Sequence, residues 1–125
     1  LLENVTLNGV TWTFVMNDAD FLGYDSQNGR GLQMGKKADP ASSISLSTDG
    51  ISGTIKKMVI NTSGASGTDA TLVVKVGGSE FGSPVKTTNS AADYVFEGSA
   101  SGKIELNWTL SAAAVYIKSI AVYTE

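Results

Sequence analysis

Residues 17–30 gather side chains that could bind a polar ligand. The segment carries the rings of Phe21 and Tyr24 together with carboxylates, amides and a guanidinium group. Recognition of a sugar ring needs this mixture, because a flat apolar face must lie beside polar groups that bond to hydroxyls. The residues that we predict to contact such a ligand are Phe21, Tyr24, Asp25, Asn28, Arg30 and Gln33.

The same segment also has a purely structural interpretation. Asp and Asn side chains often bond to the backbone of their own turns, and Phe21 could close the edge of a core. Trp12 and Trp108 are the other rings that could stack on a sugar. Both alternate with apolar neighbours along their strands, so we predict that they are buried.

Two carboxylates of this segment could serve a metal. Asp18 and Asp20 could supply oxygen ligands to calcium, which takes six to eight oxygens from carboxylates and carbonyls. The full spacing of a helix–loop–helix calcium loop is absent, because no third ligand occupies the next alternate position. A structural calcium ion is thus a possibility, beside the alternative that both carboxylates are simply solvated.

The composition excludes many enzyme classes. The chain has no histidine and no cysteine, so the commonest general base near neutral pH and every thiolate nucleophile are missing. Neither a Gly-x-Ser-x-Gly motif nor a phosphate-binding glycine loop is present. Carboxylates that could hydrolyse a glycoside lack an identifiable partner; they are Asp18, Asp20, Asp93, Glu97 and Glu105. We therefore predict a non-catalytic protein without a cofactor, and keep a hydrolase as a third hypothesis.

Length and charge narrow the partners further. The 125 residues fit one domain over 1–125, and the net charge of −3 disfavours nucleic acid, whose binding needs a basic patch. No apolar run approaches the roughly 18 to 20 residues of a membrane helix, so we predict no membrane insertion. Because the chain starts at Leu1 rather than at methionine, we interpret it as a processed protein or an excised domain.

Strands separated by turn signals run along the whole chain. Asn8-Gly9 and Gly77-Gly78 each stand between alternating apolar segments, which predicts two β-hairpins. Residues 17–30 show no sustained period and are predicted as the longest loop. Helix signals are almost absent. About nine or ten short strands at this spacing predict an all-β, antiparallel β-sandwich or barrel.

Three stretches carry a resemblance to a known family: residues 29–35 (GRGLQMG), 51–61 (ISGTIKKMVIN) and 116–123 (YIKSIAVY). Together they resemble a β-sandwich domain of secreted, multidomain proteins from Bacteroides-type gut bacteria. That domain is similar to the galactose-binding-like jelly rolls, which include many carbohydrate-binding modules. The resemblance implies two sheets of jelly-roll topology and a secreted or cell-surface location beside other domains. It also implies a possible structural calcium near the termini, where Glu3 and Glu125 stand.

Two functional hypotheses follow from the residues and the resemblance. The first is a non-catalytic carbohydrate-binding-like module whose partner is a glycan, with Phe21 or Tyr24 stacked on a sugar ring. The second is a structural or protein-interaction spacer that contacts a neighbouring domain of the same chain and binds no small molecule. The plain Ser- and Thr-rich strand faces suit the second hypothesis, whereas the mixed chemistry of residues 17–30 suits the first.

Overall fold

The first hairpin forms where the sequence predicts it. The structure, a computed structural model, describes residues 1–25 and 29–125. At the turn, Asn8 and Gly9 both have positive φ angles, 51° and 79°, as a two-residue hairpin turn of the mirror-image type requires. The turn joins strands β1 (Leu2–Leu7) and β2 (Val10–Asn17), which pair in antiparallel register from Leu2↔Val15 to Leu7↔Val10.

Seven strands form the larger of two antiparallel sheets in the described part of the chain. Besides β1 and β2, its strands are β5 (Ser43–Thr48), β7 (Asp69–Val76), β8 (Ser79–Glu80), β9 (Val85–Lys86) and β11 (Ile104–Ala112). Their order is β1-β2-β5-β11-β7-β8, and β9 also pairs with β7. The predicted Gly77-Gly78 turn joins β7 to β8, which confirms the second hairpin.

The smaller sheet has five strands. They are β3 (Leu22–Asp25), β4 (Gly31–Met34), β6 (Ile55–Gly64), β10 (Ala92–Ala100) and β12 (Val115–Thr124). Their order is β10-β6-β12-β4-β3, so β3 lies at one edge of the sheet. The described residues contain no helix, and none of their segments is therefore a helix able to cross a membrane.

The core lies between the two sheets. Alternate residues of β2, β5 and β11 point inward, and Trp12, Phe14, Leu46 and Trp108 are buried there. Buried side chains of β6, β10 and β12 meet them from the smaller sheet. The burial of both tryptophans confirms their predicted place in the core, and the architecture confirms the predicted antiparallel jelly-roll β-sandwich.

The strand count departs from the prediction. The described residues form twelve strands rather than nine or ten, and β8 and β9 are only two residues long. The predicted loop 17–30 contains the edge strand β3, so the loop assignment is wrong for Leu22–Asp25. A four-residue strand is too short to show a period, and its pairing with β4 is what makes it a strand.

Strand β7 begins at Asp69, whose carboxyl group has a lowered pKa. Ser111 donates a hydrogen bond to Asp69 at 2.7 Å, and Lys86 forms an ion pair with the same carboxylate at 3.0 Å. These contacts hold the pKa of Asp69 below its usual value, with the Ser111 hydrogen bond as the largest cause. The contacts of Asp69 thus stabilise the fold at pH values above the unfolded-state pKa of this residue. The stabilisation is lost as the pH falls through the lower pKa that Asp69 has in the folded state.

Removing the Ser111 hydroxyl is expected to raise the pKa of Asp69. The prediction is tested by an NMR titration of the Asp69 carboxyl carbon in Ser111→Ala, with Ser45→Ala on the same sheet as the control. The pKa should move upward in Ser111→Ala alone. An unchanged Asp69 titration in that variant would contradict the assignment of the hydrogen bond as the main cause.

Candidate functional site

The predicted ligand contacts that the structure describes lie on or next to the β3–β4 hairpin, at the edge of the smaller sheet. The strands pair from Leu22↔Met34 to Asp25↔Gly31, and the Gly35 amide donates to the Phe21 carbonyl at 2.9 Å. Strand β4 in turn pairs with β12 over only three residues, Val115–Ile117. The hairpin therefore covers one end of β12, and no other strand in the described part of the chain pairs with the rest of β12 on that side.

One row of this edge faces away from the core. Gly23 lies opposite Gln33, Gln33 opposite Tyr116, and Tyr116 opposite Ser63. Residues directly opposite each other in a sheet share a face, so these four lie on the outer face of the sandwich. Tyr116 is buried there although it does not belong to the core cluster.

Arg30 covers Tyr116. The Arg30 guanidinium carbon lies 3.8 Å from the centroid of the Tyr116 ring, and Arg30 Nε donates to Asp25 Oδ2 at 2.6 Å. The Asp25 side chain retains about 10% of its exposure, so the ion pair is largely shielded from water. A guanidinium that stacks on a ring and bonds to a carboxylate is fixed in place. This pair ties the two ends of the loop between β3 and β4 to β12.

Phe21 and Gln33 are also engaged with the protein. The Phe21 ring lies over Gly23, where a Cβ atom would stand 2.8 Å from the ring tip, and Lys36 Nζ lies 4.6 Å from the ring centroid. Gln33 donates its amide to the Gly35 carbonyl at 3.0 Å. Both side chains thus support the hairpin from its outer face.

Tyr24 points to the opposite side of the hairpin. It stands in register with Leu32, and Leu32 with Ile117, whose side chain belongs to the core cluster. Because β3 is an edge strand, the Tyr24 side chain reaches past the core and stays 73% exposed. Among the predicted ligand contacts that the structure describes, this ring is the one left open to solvent.

Tyr24 borders a cleft between the open edges of the two sheets, which we name the edge cleft. Its volume is about 570 Å³, within the range of roughly 300 to 1,000 Å³ typical of small-molecule pockets. The lining residues include Asn8, Val10, Trp12, Phe14, Tyr24, Leu32, Ile117, Lys118, Ser119, Ile120 and Val122. Its buried members are apolar, and its most exposed members are Asn8, Tyr24, Lys118 and Ser119.

The structure thus divides the predicted ligand contacts between two faces. Phe21, Asp25, Arg30 and Gln33 lie with the outer face, whereas Tyr24 faces the edge cleft. Asn28 lies outside the described residues. The sequence-based prediction places all six in one ligand-binding surface, and the described residues do not form a single surface.

The carboxylates predicted to bind calcium do not form a cluster of three acidic side chains among the described residues. Asp18 accepts a hydrogen bond from Ser42, and Glu125 lies 3.6 Å from Lys56. Residues 1–25 and 29–125 contain no group of three or more acidic side chains close enough to hold a metal ion. The carboxylates of Asp18 and Asp20 alone do not supply the six to eight oxygens that calcium takes.

Sequence reasoning missed Lys118 and Ser119. They occupy a bulge in β12, where the register with β6 shifts between Ile117 and Ser119. The signal was present in the sequence, because the apolar residues Ile117 and Ile120 are three positions apart within an otherwise alternating strand. Both residues are among those that line the edge cleft.

Arg30→Lys is expected to loosen the hairpin. Lysine keeps the charge but loses both the stacked guanidinium plane and the geometry of the Nε–carboxylate bond, at a cost of about 1 kcal/mol. Urea unfolding should show a lower midpoint with an unchanged slope, since the compactness of the fold is not altered. A midpoint equal to that of the parent chain would show that Arg30 does not hold the hairpin.

Comparisons with known proteins address the fold. No protein-family model matches the chain, and no curated protein matches it in sequence. Among solved structures, it is similar to TmCBM61 in complex with β-1,4-galactotriose: the TM-score is 0.61 at 16% identity, over 91% of this chain and 88% of that one. It is also similar to the carbohydrate-binding module CBM36 in complex with calcium and xylotriose, with a TM-score of 0.50 at 18% identity, over 88% and 98% of the two chains. The chain thus shares the two-sheet β-sandwich fold of these two structures.

Proposed function

We propose that the chain is a non-catalytic carbohydrate-binding-like module, and that Tyr24 stacks on a sugar ring. The observation that carries the proposal is the exposed Tyr24 ring at the opening of the edge cleft. An aromatic ring offers a flat apolar face to the C–H groups of a sugar, and nearby polar groups orient the hydroxyls. The similarity in fold to TmCBM61 and CBM36, each solved with an oligosaccharide, supports the proposal.

In this proposal, polar side chains around the edge cleft bond to the hydroxyl groups of the sugar. Asn8, Lys118 and Ser119 stand around the opening of the edge cleft, within the lining that Tyr24 shares. Of the predicted contacts, Asp25 and Arg30 bond to each other, and Gln33 bonds to the backbone. We therefore assign Phe21, Asp25, Arg30 and Gln33 to positioning the hairpin, and Asn28 remains a predicted ligand contact.

The setting of the module is part of the same proposal. The resemblance to secreted, multidomain bacterial proteins supports a secreted or cell-surface location beside other domains. A non-catalytic role is supported by a sequence without histidine or cysteine. It is also supported by the hydrogen bonds that Asp18 and Asp93 accept from Ser42 and Asn61, because these carboxylates are already bonded within the protein. A hydrolase is tested directly: oligosaccharides incubated with the chain and with Asp18→Asn/Asp20→Asn should remain intact in both cases.

A glycan panel tests the binding proposal. The chain is applied to immobilised plant and host glycans, and to β-1,4-galactotriose and xylotriose in solution calorimetry, because these are the oligosaccharides of the similar structures. We expect at least one glycan class to bind with a dissociation constant in the micromolar to millimolar range. Silence across the whole panel would overturn the proposal and favour the spacer.

The spacer hypothesis draws on one specific observation. On the outer face of the larger sheet, small polar side chains bond to one another: Thr6 to Thr11, Thr13 to Asn4, and Asn17 to Ser43. A face whose polar groups satisfy each other can pack against a neighbouring domain at little desolvation cost. That function would leave Tyr24 without a role.

A further inference from the structure

The edge cleft is deeper and more apolar than stacking on Tyr24 requires. It extends from the opening down to Trp12, Phe14 and Leu46 of the larger sheet, all of them buried. Opposite them stand Ile117 and Ile120 of β12. A sugar, whose surface is rich in hydroxyls, would leave most of this lining without a matching apolar partner.

The pairing of β12 explains why the cleft is open. Strand β4 covers β12 only at Val115–Ile117, whereas β12 continues to Thr124 along β6. Beyond Ile117, no strand among the described residues pairs with β12 on the β4 side. Ile120 and Val122 are only half-buried as a result, and they form one wall of the cleft. The opening is a consequence of strand length, so it is present before any ligand arrives.

A single positive charge stands at the opening. Among the described residues that line the edge cleft, Lys118 is the one charged side chain, and it is exposed. The ion pairs found in the described part of the chain involve Arg30, Lys56 and Lys86, and not Lys118. Its charge stands out within a protein whose net charge is −3. An anionic head group at the opening would be drawn to this position.

We propose that the edge cleft binds an amphiphilic carboxylate, with an acyl or aryl body between the sheets and the carboxylate at Lys118. The apolar walls bury the body and the ammonium group pairs with the head, which joins the two features of the lining in one ligand. This site goes beyond the proposed saccharide binding. The two ligands would share Lys118 at the opening, but the acyl or aryl body contacts the apolar interior of the cleft and does not require the Tyr24 ring.

The test uses octanoate and its uncharged counterpart octanamide, titrated into the full chain. Binding is followed by amide NMR and by tryptophan fluorescence, since Trp12 lines the cleft. We expect shifts concentrated at Gly31, Lys118 and Ser119, and octanoate binding about fivefold tighter than octanamide, as an exposed ion pair supports. The difference should shrink at high salt, because the pair is near the surface.

Two variants and a control sharpen the result. Lys118→Gln should reduce octanoate affinity to that of octanamide, while Lys57→Gln, a lysine on the outer face of the same sheet, should leave it unchanged. Ile120→Trp should fill the cleft and abolish binding of both ligands, with its fold checked by the dispersion of its amide spectrum. Equal affinity for octanoate and octanamide, shifts away from the cleft, or no binding of either would overturn the proposal.

Discussion

Tyr24→Ala is expected to weaken saccharide binding about 30-fold, which corresponds to about 2 kcal/mol for the loss of a central aromatic contact. The side chain is 73% exposed, so its removal should leave the stability of the fold within about 0.5 kcal/mol of the parent chain. The change in binding can therefore be measured by calorimetry on a protein that is still folded. The ligand is the tightest-binding saccharide of the glycan panel.

Tyr123→Ala is the matched control for this measurement. Tyr123 is the other exposed tyrosine among the described residues, at 50%, and Lys57 Nζ lies 4.7 Å from its ring centroid on the outer face of the smaller sheet. The Tyr123→Ala substitution removes the same chemical group at a position away from the edge cleft. This variant should therefore bind saccharide as tightly as the parent chain does. Equal losses in the two variants would show that Tyr24 holds no special place in recognition.

Gly31→Ala is expected to lower the free energy of unfolding by about 4 kcal/mol. A loss of this size is exceptional for a single substitution and is typical of strong steric conflict with the backbone. Gly31 has a φ of 92°, and a Cβ atom there would stand 2.2 Å from the Ile117 carbonyl oxygen and 2.6 Å from the Lys118 Cα. Both obstacles are backbone atoms of β12, so neither can swing aside. The substitution must push the β3–β4 hairpin away from the strand that anchors it.

Gly29→Ala separates this close contact from the cost of the backbone angle. Gly29 also has a positive φ, 64°, but apart from its two chain neighbours no residue has an atom within 4 Å of a Cβ placed there. It should lose only about 1 kcal/mol, the ordinary cost of a left-handed alanine. Chemical denaturation of both variants measures the difference. Similar losses at the two positions would mean that Gly31 is not pressed against β12.

The sequence predicts the scaffold well because its signals are local. Asn8-Gly9 and Gly77-Gly78 determine hairpins through backbone angles that few other residues adopt. The strict alternation around Trp12 and Trp108 decides which face of each strand is buried, and both rings lie in the core. Such features require only neighbours along the chain, so they can be read without a structure.

The candidate site is harder to predict because it depends on pairing between distant strands. Whether Tyr24 shares a face with Phe21 or with Leu32 follows from the register of β3 on β4, which no local pattern determines. Likewise, the edge cleft exists because β4 covers only three residues of β12. The bulge at Lys118 leaves a trace in the sequence, but its position beside Tyr24 is a property of the assembled sheets.

Saccharide recognition at Tyr24 is tested by an amide NMR titration of the chain with the tightest-binding saccharide from the panel. If the edge of the smaller sheet recognises the sugar around Tyr24, the shifts should cluster at Tyr24, Leu32, Lys118 and Ser119. In Tyr24→Ala the same shifts should require about 30-fold more saccharide. Shifts that cluster instead on the serines of β5, at the far face of the larger sheet, would contradict the account.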